Sequence, residues 1–220
     1  MSDVTTVDQL LAEDSFDGVT FSGLELERLS ISDKELVGCT FLHCKAAETR
    51  WQRTRLEDCV FDGCDLTSMK PQGMIPRDVH FRQSKLLGVD WSDLAQLPRL
   101  AFTESILHYA SFVKLDLRRI KFLGCELTEA AFTEVDLTEA DFSGSSLRGA
   151  TFQKCRLGKA DFSGARELYF DPSANQVRGA LIPVETAVLI AMQLGMRVSG
   201  YDAPAKSREA SSARAGRRRR

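Results

Sequence analysis

Large apolar residues recur at every fifth position along most of the chain. The first series comprises Phe16, Phe21, Leu26, Ile31, Leu36, Phe41, Trp51, Leu56, Phe61, Leu66, Phe81, Leu86 and Trp91. After one extra residue the series continues with Leu97, Phe102, Leu107, Phe112, Leu117, Phe122, Leu127, Phe132, Leu137, Phe142, Leu147, Phe152, Leu157 and Phe162. A period of five fits neither a helix, at about 3.6 residues, nor a strand, at about 2 residues. The pattern therefore predicts a repeat architecture.

A second period, four times as long, lies on top of the first. Every fourth member is a phenylalanine: Phe21, Phe41, Phe61, Phe81, Phe102, Phe122, Phe142 and Phe162. Identical side chains at this interval indicate that each ring stacks on the previous ring of the series, so that four five-residue sides make one square coil. We therefore predict an all-β solenoid of about 8 coils, stacked at about 4.8 Å, in which each coil contacts only its neighbours. The phenylalanines would form an internal ladder.

Two places disturb the period. The extra residue falls between Trp91 and Leu97, and we expect it to bulge outward near Leu94. Prolines occupy two successive central positions, and we expect the sides of the coil there to be deformed. The candidate irregular face comprises Pro71, Pro76, Arg77 and Leu94.

Both ends of the chain differ from the repeat. The period weakens after Phe162, and Pro183 then fits the first turn of a helix. Apolar residues at helical spacing follow it: Val184, Val188, Leu189, Met192 and Leu194. The predicted organisation is an N-terminal arm or cap over 1–12, a solenoid over 13–182, a C-terminal capping or dimerisation helix over 183–198 and a disordered basic tail over 199–220.

Charge is distributed unevenly. The formal net charge is −2, but residues 199–220 hold seven basic and two acidic residues, a net of +5, which leaves −7 for residues 1–198. The outward acidic residues of the second half form a candidate contact face: Asp116, Glu126, Glu129, Glu134, Asp136, Glu139, Asp141 and Asp161. The alternative is a merely solvated surface. The near-neutral total argues against a strongly basic nucleic-acid binder.

Residues with catalytic or metal-binding potential fit structural roles better. All six cysteines stand two positions before a central residue, where a small inward side chain is needed: Cys39, Cys44, Cys59, Cys64, Cys125 and Cys155. The three histidines are outward and isolated, and there is no glycine-rich phosphate loop. We predict a protein without catalytic activity, cofactor or metal. Short apolar runs and an acidic N-terminus favour a soluble cytoplasmic protein.

The second half of the chain carries the motif A-[DN]-[LF]-x-x, as AAFTE (130–134), ADFSG (140–144), ATFQK (150–154) and ADFSG (160–164). Residues from about 13 to 182 thus resemble the pentapeptide-repeat family, which implies a right-handed quadrilateral β-helix. The segment YFDPSANQVRGALIPVETAVLIAMQLGMRV (169–198) is similar to the ending of the Qnr-type quinolone-resistance proteins. It also resembles the microcin and albicidin self-immunity proteins.

That resemblance implies a homodimer through the C-terminal helix and a DNA mimic that engages DNA gyrase or topoisomerase IV. The enzyme would thereby be protected from a poison. Qnr-type members often carry projecting loops, whereas this chain shows a one-residue bulge, which favours protection against a peptide-like toxin over quinolones. The alternatives are a passive interaction scaffold and toxin sequestration in a groove near Pro71, Pro76 and Trp91. The tail, ending in Arg217–Arg220, is either a solubilising end or a contact for DNA or acidic lipid; no other nucleic-acid or membrane contact is predicted.

Overall fold

The computed structural model describes residues 3–4, 6–94 and 97–201. Two short helices, α1 (Val7–Ala12) and α2 (Val184–Gln193), stand at the two ends of a series of parallel strands. The strands are β1 Asp3–Val4, β2 Ser15–Asp17, β3 Thr20–Ser22, β4 Ser30–Ser32, β5 Glu35–Val37, β6 Thr40–Leu42, β7 Arg50–Gln52, β8 Arg55–Glu57, β9 Val60–Asp62, β10 Ile75–Arg77, β11 Val79–Arg82, β12 Leu100–Thr103, β13 Ser111–Val113, β14 Lys121–Leu123, β15 Ala131–Thr133 and β16 Thr151–Gln153.

The strands form the sides of a square coil. The first side carries the sheet β2-β5-β8-β10, and the second carries β1-β3-β6-β9-β11-β12-β14. The third side is a ladder of single bridges that begins with Glu25, Lys45 and Asp65, and the fourth carries β4-β7 and β13-β15-β16. Partners are one full coil apart along the chain, as Phe41 and Phe61 are. The predicted parallel solenoid with four sides is therefore confirmed.

The core of the second side is a continuous ladder of phenylalanine rings. Its eight rings run from Phe21 to Phe162, with centroids 4.6–5.1 Å apart and planes within 15° of parallel. A second stack, Phe112, Phe132 and Phe152, lies on the fourth side with spacings of 4.8 and 5.0 Å. Rings of the two stacks meet edge to face, a favourable geometry for aromatic pairs. The eight rings are separated by seven steps of one coil each, and a less regular coil follows the last ring.

The inward corner between the second and third sides is a polar column. It consists of Cys44, Cys64, Ser84, Ser105, Cys125 and Ser145, all buried. The Ser84 hydroxyl donates to the Phe61 carbonyl at 3.2 Å and accepts the Cys64 N–H at 3.1 Å. Ser145 likewise donates to the Phe122 carbonyl at 2.6 Å. These bonds link one coil to the next, so a small hydrogen-bonding side chain suits this corner.

The extra residue lies between Asp93 and Arg99. The Gly73 N–H donates to the Asp93 carbonyl, at the regular separation of one coil, whereas the ion pair of Arg99 with Asp78 spans one residue more. The expectation that Leu97 is a central core residue is wrong. Leu97 is 63% exposed, in the left-handed region at φ 58°, and Pro98 is buried in its place.

The chain was expected to bulge outward at Leu94. Leu94 is instead half-buried against the core, so that expectation is wrong as well. The extra residue moves the inward position one place along the chain, so the Pro98 ring fills the core and Leu97 is turned outward. The irregular segment is therefore centred on Leu97.

The expected deformation at the prolines is also wrong. Pro76 lies in the regular strand β10, paired directly with Leu56. The Ile75 N–H donates to the Thr54 carbonyl, so the ladder continues on either side of the proline ring. Pro71 is buried beside Lys70, which bridges Arg50. Both proline rings therefore act as ordinary central core residues.

The two ends of the solenoid are covered unequally. Leu10 of α1 is fully buried, and Lys34 donates to the carbonyl of Leu11 at 2.8 Å, which fastens α1 to the first coil. At the other end α2 packs through Thr186 and Val188. Neither described helix has the length and apolar character needed to cross a membrane. The predicted tail lies, from residue 202 onward, outside the described residues.

The two tryptophans of the fourth side provide a stability test. Trp51 Nε1 donates to Thr49 Oγ1 at 3.1 Å, whereas the buried Trp91 Nε1 has no partner among the described residues, since Val89 replaces the threonine. We expect Val89→Thr to raise the free energy of unfolding by about 1 kcal/mol, and Thr49→Val to lower it by about 1–3 kcal/mol. Urea denaturation measures both. If the two variants shift stability in the same direction, this hydrogen-bond assignment is contradicted.

Candidate partner-binding surfaces

The eight acidic residues predicted as one contact face do not share a face. Asp116 pairs with Asp136 on the first side, Asp141 with Asp161 on the second, and Glu126 with Ser146 on the third. The remaining three are corner residues with left-handed backbone, at φ 56–60°: Glu129, Glu134 and Glu139. The eight carboxylates therefore surround the rod, and the prediction of a single acidic face is wrong. The position of each residue within the 20-residue coil indicates its side, and the eight positions fall on different sides.

Half of these carboxylates are also paired with lysine or arginine. Arg118 contacts Asp116 at 2.7 Å, and Arg119 contacts Glu139 at 2.8 Å. The pKa of the Asp116 carboxyl is held below its usual value chiefly by the hydrogen bond from Arg118, so the pair stays ionised near neutral pH. Two further pairs join consecutive coils: Asp136 with Arg156 at 3.4 Å and Glu134 with Lys154 at 3.7 Å.

Opposite charges likewise alternate along the rod in the first half of the chain. Glu25 and Lys45 are 2.8 Å apart, and Lys85 lies 3.9 Å from Asp65. Asp33 is paired with Arg53 on the next coil. Residues one coil apart are cross-strand neighbours, where like charges are destabilising and unlike charges favourable. The shaft is consequently close to electroneutral: residues 36–198 hold 20 acidic and 20 basic residues.

The whole acidic surplus of the body lies at its N-terminal end. Residues 1–35 hold nine acidic and two basic residues, a net of −7. The exposed carboxylates of this end, on α1, the first coil and the link between them, include Asp8, Glu13, Asp14, Asp17 and Glu27. This acidic end was not predicted from the sequence, although the number of charges in each coil indicates it.

The C-terminal end is apolar. Val184 and Leu194 are 75% and 64% exposed, and Leu189 and Met192 are exposed beside them. Of the five apolar residues predicted for the capping or dimerisation helix, Val188 alone is buried, so it does not contribute to this exposed surface. The helix itself covers 184–193, within the predicted 183–198. An uncovered apolar end of this kind is typical of an interaction surface.

A groove opens beside the irregular segment, on the first side of the coil. It consists of two adjoining hollows of about 450 and 340 Å³, which share Pro98, Arg99, Arg118 and Arg119. Pro71, Pro76 and Trp91, near which a toxin-binding groove was expected, are all buried, and none of the three lines either of these two hollows. The groove that the structure has lies one coil further on.

Comparison with known proteins supports the fold. The family model for pentapeptide repeats matches residues 125–164 with eight copies. The chain folds as a pentapeptide-repeat β-helix. No curated protein matches the sequence significantly.

Solved pentapeptide-repeat structures match over most of the chain. A trypsin-treated QnrB1, described as a plasmid-mediated fluoroquinolone resistance protein, is 23% identical with a TM-score of 0.51, covering 86% of this chain and 92% of QnrB1. Full-length QnrB1 is 21% identical with a TM-score of 0.49, over 88% and 95% of the two chains. HetL from a Nostoc strain, described as involved in heterocyst differentiation regulation, is 18% identical with a TM-score of 0.42, over 77% and 87%.

The buried thiols of the coil fall into two groups. Hydrogen bonds to Cys59 and Cys64 lower the pKa of Cys39 to about 7 and lower the pKa of Cys44, whereas the pKa values of the other four thiols are raised. Burial raises the pKa of the Cys125 thiol to about 12, and contact with Cys39 together with burial raises the pKa of Cys59. A protonated thiol is a poor nucleophile and a poor metal ligand. Within the described ranges, no group of three or more histidine, cysteine or acidic residues is arranged to hold a metal ion.

Proposed function

We propose that this pentapeptide-repeat protein engages a type II topoisomerase, DNA gyrase or topoisomerase IV, in place of DNA and protects it from a poison. The observation that carries the proposal is the acidic N-terminal end of the rod, where residues 1–35, which include α1 and the first coil, have a net charge of −7. The enzyme's DNA-binding surface is basic, and a concentrated negative end is attracted to such a surface at long range. A cytoplasmic location is part of this proposal.

The balanced shaft changes how the mimicry would work. A duplex carries about one negative charge per 1.7 Å along its length. The shaft carries equal numbers of both signs, with 20 acidic and 20 basic residues in 36–198, and their fields largely cancel beyond a Debye length of roughly 8–10 Å. Electrostatic competition with DNA would therefore come from the acidic end, and contacts along the shaft would depend on shape and on individual side chains.

A homodimer through the apolar C-terminal end completes the proposal. Joining two copies at α2 covers Val184 and Leu194 and directs the two acidic ends outward. At about 4.8 Å per coil, the acidic ends of such a dimer lie about 80 Å apart. One dimer then presents two negative ends to an enzyme that has two-fold symmetry.

The test is a supercoiling assay with purified gyrase and either a quinolone or a peptide-like poison. We expect the wild-type protein to restore supercoiling, and Asp8→Asn/Asp14→Asn/Asp17→Asn to lower the apparent affinity by about tenfold, since three charges leave the acidic end. The matched control is Glu129→Gln/Asp141→Asn/Asp161→Asn, which removes the same charge from the shaft. Absence of rescue at every ratio of protein to enzyme would refute the proposal, and equal losses in the two variants would refute the role of the acidic end.

A passive interaction scaffold is the second candidate, and the charge-paired shaft favours it. Alternating pairs such as Glu25 with Lys45 make a soluble surface that attracts no single sign of charge. A scaffold without topoisomerase affinity would show no change in gyrase activity with or without the poison. Capture experiments would then enrich partners other than topoisomerases.

A further inference from the structure

The groove beside the irregular segment combines fixed arginines with an exposed apolar ridge. The exposed Leu97 and the buried Pro98 line the groove together with three arginines: Arg99, Arg118 and Arg119. The ridge exists because the extra residue turns Leu97 outward, where it is 63% exposed. The groove is therefore a direct product of the one-residue insertion.

Each guanidinium group forms a hydrogen bond or an ion pair with a carboxylate of this chain. Asp116 accepts from Arg118 Nε and Nη2 at 2.8 and 2.7 Å. Glu139 accepts from Arg119 Nε at 2.8 Å, and Asp78 lies 2.7 Å from Arg99 Nη2. A guanidinium has five N–H donors, so each of the three keeps donors that no described residue accepts. Arginines held in this way are prepared for a second acceptor at small entropic cost.

We infer that this groove binds an acidic peptide segment of a partner protein that also carries apolar side chains. The peptide's carboxylates would accept from the free edges of Arg118 and Arg119, and an apolar side chain would pack on Leu97. Asp78, Asp116 and Glu139 also line the groove, so each arginine already has one carboxylate beside it. A phosphate backbone, with a negative charge on every nucleotide, would meet these carboxylates, whereas the spaced carboxylates of a peptide can be placed on the free guanidinium edges alone. The mixture of cations, carboxylates and an apolar ridge therefore fits a peptide better than a nucleic acid. This inference is independent of any topoisomerase activity.

Fluorescence anisotropy with defined probes tests the inference. The probe is a fluorescein-labelled twelve-residue peptide that repeats Asp-Leu-Glu-Ser, and the comparison probes are the Asn-Leu-Gln-Ser peptide and a labelled DNA duplex. We expect Arg118→Gln/Arg119→Gln to weaken binding of the acidic peptide at least tenfold, because two charge-assisted hydrogen-bonding sites are lost. Leu97→Ser should weaken it about threefold to tenfold. Thermal melts confirm that each variant is folded.

The control is Arg148→Gln/Arg166→Gln, which removes the same charge from the third side and should leave the affinity within twofold. No binding of the acidic peptide by the wild-type protein would overturn the inference. Equal binding of the Asn-Leu-Gln-Ser peptide, equal losses in the two double variants, or tighter binding of duplex DNA would overturn it as well.

Discussion

Phe122→Asp is expected to abolish the cooperative unfolding transition of the rod. The Phe122 ring is fully buried, with Phe102 at 5.1 Å on one side and Phe142 at 5.0 Å on the other. Removing a buried phenylalanine ring costs about 3–5 kcal/mol, and a carboxylate in the same place adds several kcal/mol, because no described cation lies inside the ladder. The sum is comparable to the stability of a whole domain.

Circular dichroism and urea denaturation measure this effect. Lys121→Ser, one residue away and outward, is the matched control and should change the free energy of unfolding by less than about 0.5 kcal/mol. Because coils contact only their neighbours, Phe122→Ala should split the transition or lower its midpoint without unfolding the chain completely. A Phe122→Asp protein that melts like the wild type would contradict the stacked-ring core.

Val184→Asp/Leu194→Asp is expected to convert the proposed dimer into a folded monomer. Both side chains are exposed at the C-terminal end, so the new carboxylates stay hydrated in the monomer and become buried only in a dimer. The helix keeps its attachment, because Thr186 Oγ1 still donates to the Leu168 carbonyl at 3.2 Å. The free energy of unfolding of the monomer should change by less than about 1 kcal/mol.

Light scattering coupled to size exclusion measures the mass of each variant. Leu97→Asp/Tyr109→Asp, which places two carboxylates at exposed apolar positions of the shaft, is the control and should remain dimeric. A wild-type monomer at all accessible concentrations would contradict the proposed dimer. A double variant at positions 184 and 194 that stays dimeric would place the interface elsewhere.

The repeat made most of the fold predictable. A phenylalanine at every fourth central position is consistent with few arrangements other than a stacked coil, and the ladder from Phe21 to Phe162 confirmed it. The place of the insertion was less predictable. The periodic pattern favoured Leu97 over Pro98 for the core because leucine is the usual residue at this position, whereas the backbone path around the extra residue decides which side chain faces inward.

The candidate surfaces were harder to predict than the core. A single acidic residue in the sequence suggests a negative surface. Its contribution to the surface charge depends, however, on the residue that lies beside it on the adjacent coil. Glu139, for example, lies between Arg119 and Lys159 on the adjacent coils. The groove was not predictable either, since it arises from the local path of the chain around Leu97.

The alternation of charge also affects how the coils find their partners during folding. In the correct stack Lys45 lies between Glu25 and Asp65, and Asp65 is followed by Lys85. If a coil were skipped, so that residues two coils apart came together, Glu25 would meet Asp65 and Lys45 would meet Lys85. The hydrophobic ladder barely distinguishes these two arrangements, since nearly every coil offers the same ring. The charges on the third side would penalise the skipped arrangement, and so make the order of the coils as well defined as their spacing.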